Sequence, residues 1–140
     1  MTAPARKNPS RARSPLSPVN PGSPKLRLWI VYGDRIKFGF GRAEILRLVD
    51  EKGSISAAAA ELGMSYRNLW GYFRELEEAS GAKLLVRQRG SGPEAGTHLS
   101  SAGRAFVDRY CQFHRAIDAA VIREFTRIYK RRTAPRSSPA

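Results

Sequence analysis

The run from Ile55 to Leu76, "ISAAAAELGMSYRNLWGYFREL", is two helical stretches with little more than one glycine between them. Ala57, Ala58, Ala59 and Ala60 present only methyl groups, so another helix can cross them closely at a steep angle. Gly63 can take the left-handed backbone that ends one helix and swings the chain into the next. Ser54 or Ser56 stands where the first stretch needs a cap, and Ser65 where the second does. The spacing predicts a helix to Leu62 and another from Tyr66 to about Ser80, closed by Gly81. Leu62, Leu69, Phe73 and Leu76 form the expected buried face, with Met64 or Tyr72 at its edge. Outward on the second helix stand Tyr66, Arg67, Trp70, Gly71 and Arg74, with Ser65 and Asn68 beside them.

The flanks complete a small domain. "LRLWIVY" (Leu26 to Tyr32) is rich in β-formers, stops at Gly33-Asp34 and resumes in "RIKFG", which reads as a hairpin. From about Arg42 to Lys52 the period changes, and Ile45, Leu46, Leu48 and Val49 make one face of a helix ending at Gly53. After Gly81, "KLLVRQ" (Lys83 to Gln88) reads as a strand, "RGSGPEAG" (Arg89 to Gly96) as a flexible turn and "THL" as a returning strand. A last helix runs from near Ser100 to about Arg131, on the order of 45 Å. The order β-β-α-α-α-β-β-α predicts a mainly helical winged helix-turn-helix over 25–99. A long helix follows over 100–131. In this arrangement one helix of the pair braces, the other reads, and the hairpin is the wing. A plain hairpin closing the core is the alternative for the wing.

Charge narrows the partner. The 140 residues carry a formal net charge of +13, and six of the nine prolines fall in 1–24. That segment and 132–140 hold almost no large apolar residues, so both are expected to be disordered basic ends. Nine of the 25 basic residues lie in the acid-free stretches 1–25 and 130–140, leaving 16 basic against 12 acidic residues between them. A polyanion is the natural partner. The chain has no apolar run of the roughly 18 to 20 residues a membrane span needs, so no membrane partner is expected. Cys111 is the lone cysteine, which excludes an internal disulfide and fits a reducing, cytoplasmic setting on the nucleoid. With only His98 and His114 beside it, no metal site is expected. Cys111 and His114 read as helix-surface or seam residues. No carboxylate pair, His-Cys arrangement or phosphate-cradling glycine loop points to an enzyme, so no catalytic residue or cofactor is expected.

The outward residues of the second helix have the chemistry that reads double-stranded DNA. Arginine can donate two hydrogen bonds to guanine, asparagine can pair with adenine, and serine or tyrosine hydroxyls reach phosphates or base edges. Gly71 leaves room for a close approach. Trp70 either shares this role or packs at the domain edge. Ser54 and Ser56 at the start of the first helix, Arg87 and Arg89 on the wing, and His98 complete the expected surface.

The stretch "GSISAAAAELGMSYRNLWGYFRELEEASGAKLLVRQRG", continued by "THLSSAG", resembles the N-terminal DNA-binding domain of ModE-type molybdate-dependent regulators and, more distantly, that of LysR-type regulators. The likeness runs from about Leu26 to Tyr110. "GSISAAA" leading to "GMSYR" and Trp70 is its specific part; "SGAKLL" and "LSSAG" are shared more broadly among winged regulators. It implies a recognition helix starting over Ser65 to Trp70 and a wing over Gly90 to Gly96. Two departures matter. The wing "GSGPEAG" is not the family's nearly continuous glycine run. The C-terminal molybdate-binding domains have no counterpart before the chain ends, so molybdate binding is not expected.

Along the last helix, Phe106, Tyr110, Phe113, Ile117, Val121, Phe125 and Ile128 advance mostly by fours and threes, a stripe suited to another helix. Part of it must cover the domain's own core, and the rest predicts a homodimer, as the resemblance also implies. Folding back onto the first hairpin is the alternative. The expected function is a sequence-specific transcriptional regulator binding an inverted repeat as a homodimer, without its own effector domain. Other readings are an architectural protein with little sequence preference and an adaptor using the fold to bind protein.

Overall fold

The computed structural model of the chain describes residues 20–92 and 95–130. Most of the basic arm expected over 1–24, the wing residues Pro93 and Glu94, and the tail expected over 132–140 lie outside them. The elements follow the expected order: β1 (Ile30–Tyr32), β2 (Ile36–Phe38), α1 (Phe40–Lys52), α2 (Ile55–Leu62), α3 (Tyr66–Ser80), β3 (Leu85–Gln88), β4 (Gly96–Leu99) and α4 (Ser101–Phe125). α4 runs on into one π-helical turn, Thr126–Lys130. No helix among the described residues is long and apolar enough to cross a membrane.

Local chemistry sets the boundaries. The hydroxyl of Ser54 accepts from the Ala57 N–H at 2.9 Å, which resolves the choice between Ser54 and Ser56 as the α2 cap. Ser65 caps α3 through the Asn68 N–H at 3.1 Å, and Ser100 caps α4 through the Gly103 N–H at 2.8 Å. Each such cap contributes about 1 kcal/mol. Gly53, Gly63 and Gly81 end α1, α2 and α3 in the left-handed conformation.

The core gathers around α1, which packs on α2, α4, β2 and β4. Leu46, Val49, Leu69, Phe73, Leu76, Leu84 and Val107 are buried in one cluster, each contributing roughly 1.5 to 3 kcal/mol by leaving water. Ala58 and Ala59 are the buried residues of α2, so the close crossing is made on methyl groups. Leu62, expected in that core, is 40 % exposed. It is the last residue of α2, one turn past the buried Ala58 and Ala59 and directly before the Gly63 cap.

Two antiparallel hairpins close the domain, β1 with β2 and β3 with β4. Along 25–32 exposure alternates, with Leu26, Leu28, Ile30 and Tyr32 turned inward. Those inward residues meet α4 in an aromatic cluster. The Phe106 ring lies 5.0 Å from Phe38 and 5.4 Å from Tyr32, and Tyr110 meets Phe38 edge-on at 5.4 Å. The Tyr110 hydroxyl donates to the Leu28 carbonyl at 2.6 Å. Phe106 and Tyr110, counted in the stripe for a second copy, therefore belong to the chain's own core; Tyr110 is 2 % exposed. The near half of α4 does pack on the first hairpin. Cys111, expected on a surface or seam, is buried there too, while the half-buried His114 lies against Phe40 and Tyr110.

The far half of α4 leaves the domain. Phe113, Ile122, Ile128 and Tyr129 are exposed, and Ile117, Val121 and Phe125 are half-buried.

Candidate nucleic-acid interface

α3 is held on three sides. Its Leu69, Phe73 and Leu76 enter the core. The Glu77 carboxylate accepts from the Leu84 and Leu85 N–H groups at 2.8 and 3.1 Å, fastening α3 to the start of the wing. On the other flank, burial pushes the Tyr72 phenol up to about 12, so it stays protonated and donates to the Lys37 carbonyl at 2.6 Å.

At about 100° per residue, Arg67, Gly71 and Arg74 share a ridge opposite the buried face, and Arg67 and Arg74 are exposed. A Cβ added at Gly71 would meet no heavy atom within 4 Å beyond the helix's own backbone. The chain's own packing thus gives no reason for a glycine in mid-helix, where it costs about 0.5 to 1 kcal/mol relative to alanine. Tyr66 and Trp70 flank the ridge on the wing side. Together with Ser54, Ser56 and Arg87 they line a cleft of about 400 Å³. Trp70, left open by the sequence, is 43 % exposed, with the Arg74 guanidinium 5.0 Å from its ring centroid. It is a wall residue of the cleft rather than core. Asn68 is exposed on the opposite flank.

The wing carries Arg87 and Arg89, both exposed. Its base is pinned by close backbone approach. The Thr97 N–H donates to the Gly53 carbonyl at 3.0 Å, and at Gly96, with φ +101°, a Cβ would collide with that carbonyl.

His98, expected to face DNA, turns inward. Its Nδ1 lies 3.1 Å from the Asp50 carbonyl oxygen and its Nε2 3.0 Å from that of Ala95. Carbonyl oxygens can only accept, so both ring nitrogens are satisfied only by the imidazolium. The Ala95 carbonyl, with Asp50 adding to it, raises the His98 pKa against the opposing effect of desolvation. The Asp50 carboxylate also accepts from the Leu99 N–H at 2.9 Å and from Arg104 at 3.1 Å. Desolvation opposes its charge, but these partners prevail and hold its pKa below the usual value. His98 is a fastener between α1, β4 and α4.

Of the expected residues, the structure brings Ser54, Ser56, Tyr66, Arg67, Trp70, Gly71, Arg74 and Arg87 onto one face. Ser65 serves it as a cap, and Arg89 extends it just beyond β3. A second basic surface, not expected from the sequence, lies across α3. Lys37 sits over the Trp29 ring at 4.7 Å and Arg42 over the Tyr72 ring at 4.5 Å. Its signal was present in the alternation Lys25, Arg27, Trp29, which puts these three on one side of the extended segment that leads into β1.

Residues 40–104 match the family described as bacterial regulatory helix-turn-helix protein, lysR family. The chain is 30 % identical over 74 residues to the molybdenum-pterin-binding protein MopB of Rhodobacter capsulatus, an alignment covering 53 % of this chain and 27 % of that protein. The chain thus spans only about a quarter of that relative's length. A solved structure of a full-length BenM point mutant aligns at 26 % identity with a TM-score of 0.44, covering 63 % of this chain and 27 % of that one. Over residues 40–104, a little under half of its length, the chain is thus similar to the bacterial regulatory helix-turn-helix proteins of the lysR family.

Proposed function

We propose that this chain is a sequence-specific transcriptional regulator that inserts α3 into the major groove of double-stranded DNA and binds an inverted repeat as a homodimer. The observation that carries the reading is the ridge of Arg67, Gly71 and Arg74, whose two arginines are exposed opposite the face by which α3 is anchored in the core. A helix of about 10 to 12 Å fits a major groove of about 12 Å. The wing arginines Arg87 and Arg89 then reach the phosphates beside it, which position without specifying sequence.

The dimer rests on the far half of α4. Phe113, Ile117, Val121, Phe125 and Ile128 continue the apolar stripe past the point where the domain's own core ends, and exposed apolar surface of this extent favours a partner helix. Two copies related by a two-fold axis present two α3 helices, and their half-sites should lie about one turn of DNA, or a multiple, apart.

The test is selection of bound duplexes from a random library at near-physiological salt, with the full chain and with Arg67→Ala. The expected result is an enriched inverted repeat. Arg67→Ala should weaken binding to it by about 1 to 3 kcal/mol while leaving random DNA almost unchanged. A flat profile with salt-sensitive binding to every sequence would replace this reading with the architectural one.

A further inference from the structure

On the side of α3 away from the wing lies a groove of about 630 Å³, lined by the N-terminal extended segment, β2, the first turn of α1 and Tyr72 of α3. Arg27 and Trp29 face outward from the extended segment. Lys37 is paired with Val31 across the hairpin and lies over Trp29. Arg42 lies on Tyr72. Arg35 also lines the groove, with Glu75 as a distant partner at 3.8 Å. Among the described residues, no carboxylate comes within ion-pair distance of Arg27, Lys37 or Arg42.

Gathering three unneutralised cations from three separate elements into one groove is repulsive unless an anion lies between them. The aromatic floors hold two of the cations in place, which lowers the entropy lost when they engage one. The groove opens to solvent, and its cations come from the extended segment, β2 and α1, so an anion that spans all three would meet each of them. Tyr72 and Trp70 stand on opposite flanks of α3, so the groove and the wing cleft lie on either side of the Arg67 ridge. A major groove occupied by α3 is bordered by two phosphate strands, and the wing can serve only one.

We propose that this hairpin groove grips the second strand, with Arg27, Lys37 and Arg42 contacting the duplex backbone opposite the wing. The proposal rests on α3 being the reading helix. It makes the first hairpin a DNA-clamping element as well as a lid on the core.

The test uses the full chain and measures affinity for the selected duplex and for random duplex over a range of potassium chloride. The variant Arg27→Gln/Lys37→Gln/Arg42→Gln should lower the slope of log K against log salt by roughly 2 to 3, since each phosphate contact adds about 0.9. It should weaken both duplexes by a similar factor, leaving sequence preference intact. Arg27→Lys/Lys37→Arg/Arg42→Lys, which keeps the charges, should restore the slope. An unchanged slope in the Gln variant, with Arg67→Ala still reducing preference, would overturn the groove assignment and leave the reading helix standing. Reduced preference in Arg67→Ala is therefore the separate readout for the underlying function. If neither parent nor variants bind duplex, both fall. A parent stabilised by millimolar inorganic phosphate, with the stabilisation lost in the Gln variant and the DNA slope unchanged, would reassign the groove to a free oxyanion.

Discussion

Replacing Gly71 with alanine should raise the stability of the free protein and lower its affinity for DNA. Gly71 lies in the middle of α3, and beyond the helix's own backbone no heavy atom comes within 4 Å of the position a Cβ would take. Alanine there meets no clash and removes the entropic cost of ordering a glycine in a helix, worth about 0.5 to 1 kcal/mol. For a domain of this size that is a rise in Tm of roughly 3 to 6 °C. In the complex the same methyl projects from the ridge between Arg67 and Arg74, where the duplex should come closest. Overfilling a packed contact costs about 1 to 3 kcal/mol, a loss of affinity between roughly fivefold and a hundredfold. Thermal or urea unfolding of the free protein gives the first quantity, and titration of a labelled duplex the second. A variant less stable than its parent would refute the open space at Gly71. Unchanged affinity in a stabilised variant would refute the placement of this ridge against DNA.

Gly96→Ala should destabilise the domain by on the order of 1 to 3 kcal/mol, because its φ is +101° and the new Cβ collides with the Gly53 carbonyl; urea unfolding measures it. His98, with its pKa raised in the fold, contributes stability that is complete below its ordinary value of 6.5 and fades as pH rises through the folded value. Asp50, with its pKa lowered, contributes stability that is complete above its ordinary value of 3.8 and fades as pH falls through the folded value. The network is therefore strongest between these limits, and His98→Gln should flatten the decline on the alkaline side in a pH series of unfolding curves. Ending the chain after Ile117 removes Val121, Phe125 and Ile128 from the stripe and should leave a monomer or a much weaker dimer by sedimentation; an intact tight dimer would place the interface elsewhere.

What the sequence disclosed was local. Ser65, and Ser54 as one of two candidates, read as helix caps because a hydroxyl can reach an N–H three residues on, a relation written within four letters. The ridge of α3 followed from helical period alone. What it concealed depended on distant packing. Tyr110 is buried against Phe38, with its hydroxyl satisfied by the Leu28 carbonyl 82 residues away, and Phe106 packs on Phe38 and Tyr32 of the hairpin. His98 sits on a strand in a wing and so read as a DNA contact; only the approach of α1 shows its partners to be carbonyl oxygens. The basic stripe of the hairpin was legible in principle as a period-two pattern. Its position beside α3 depends on the bond from Tyr72 to Lys37.

The uninterrupted course of α4 gives its length a second meaning. The helix is rooted at Tyr110 in the aromatic cluster and continues unbroken to Phe125. With its far half holding a second copy, as proposed, it is the shaft that sets the phase between two reading heads. One residue inserted between Cys111 and Ile117 would turn each head by about 100° and move it by about 1.5 Å. Each half-site would still be recognised, but not by both heads of one dimer at the original separation. Such insertions should leave binding to an isolated half-site intact and change the spacing at which two half-sites are bound together.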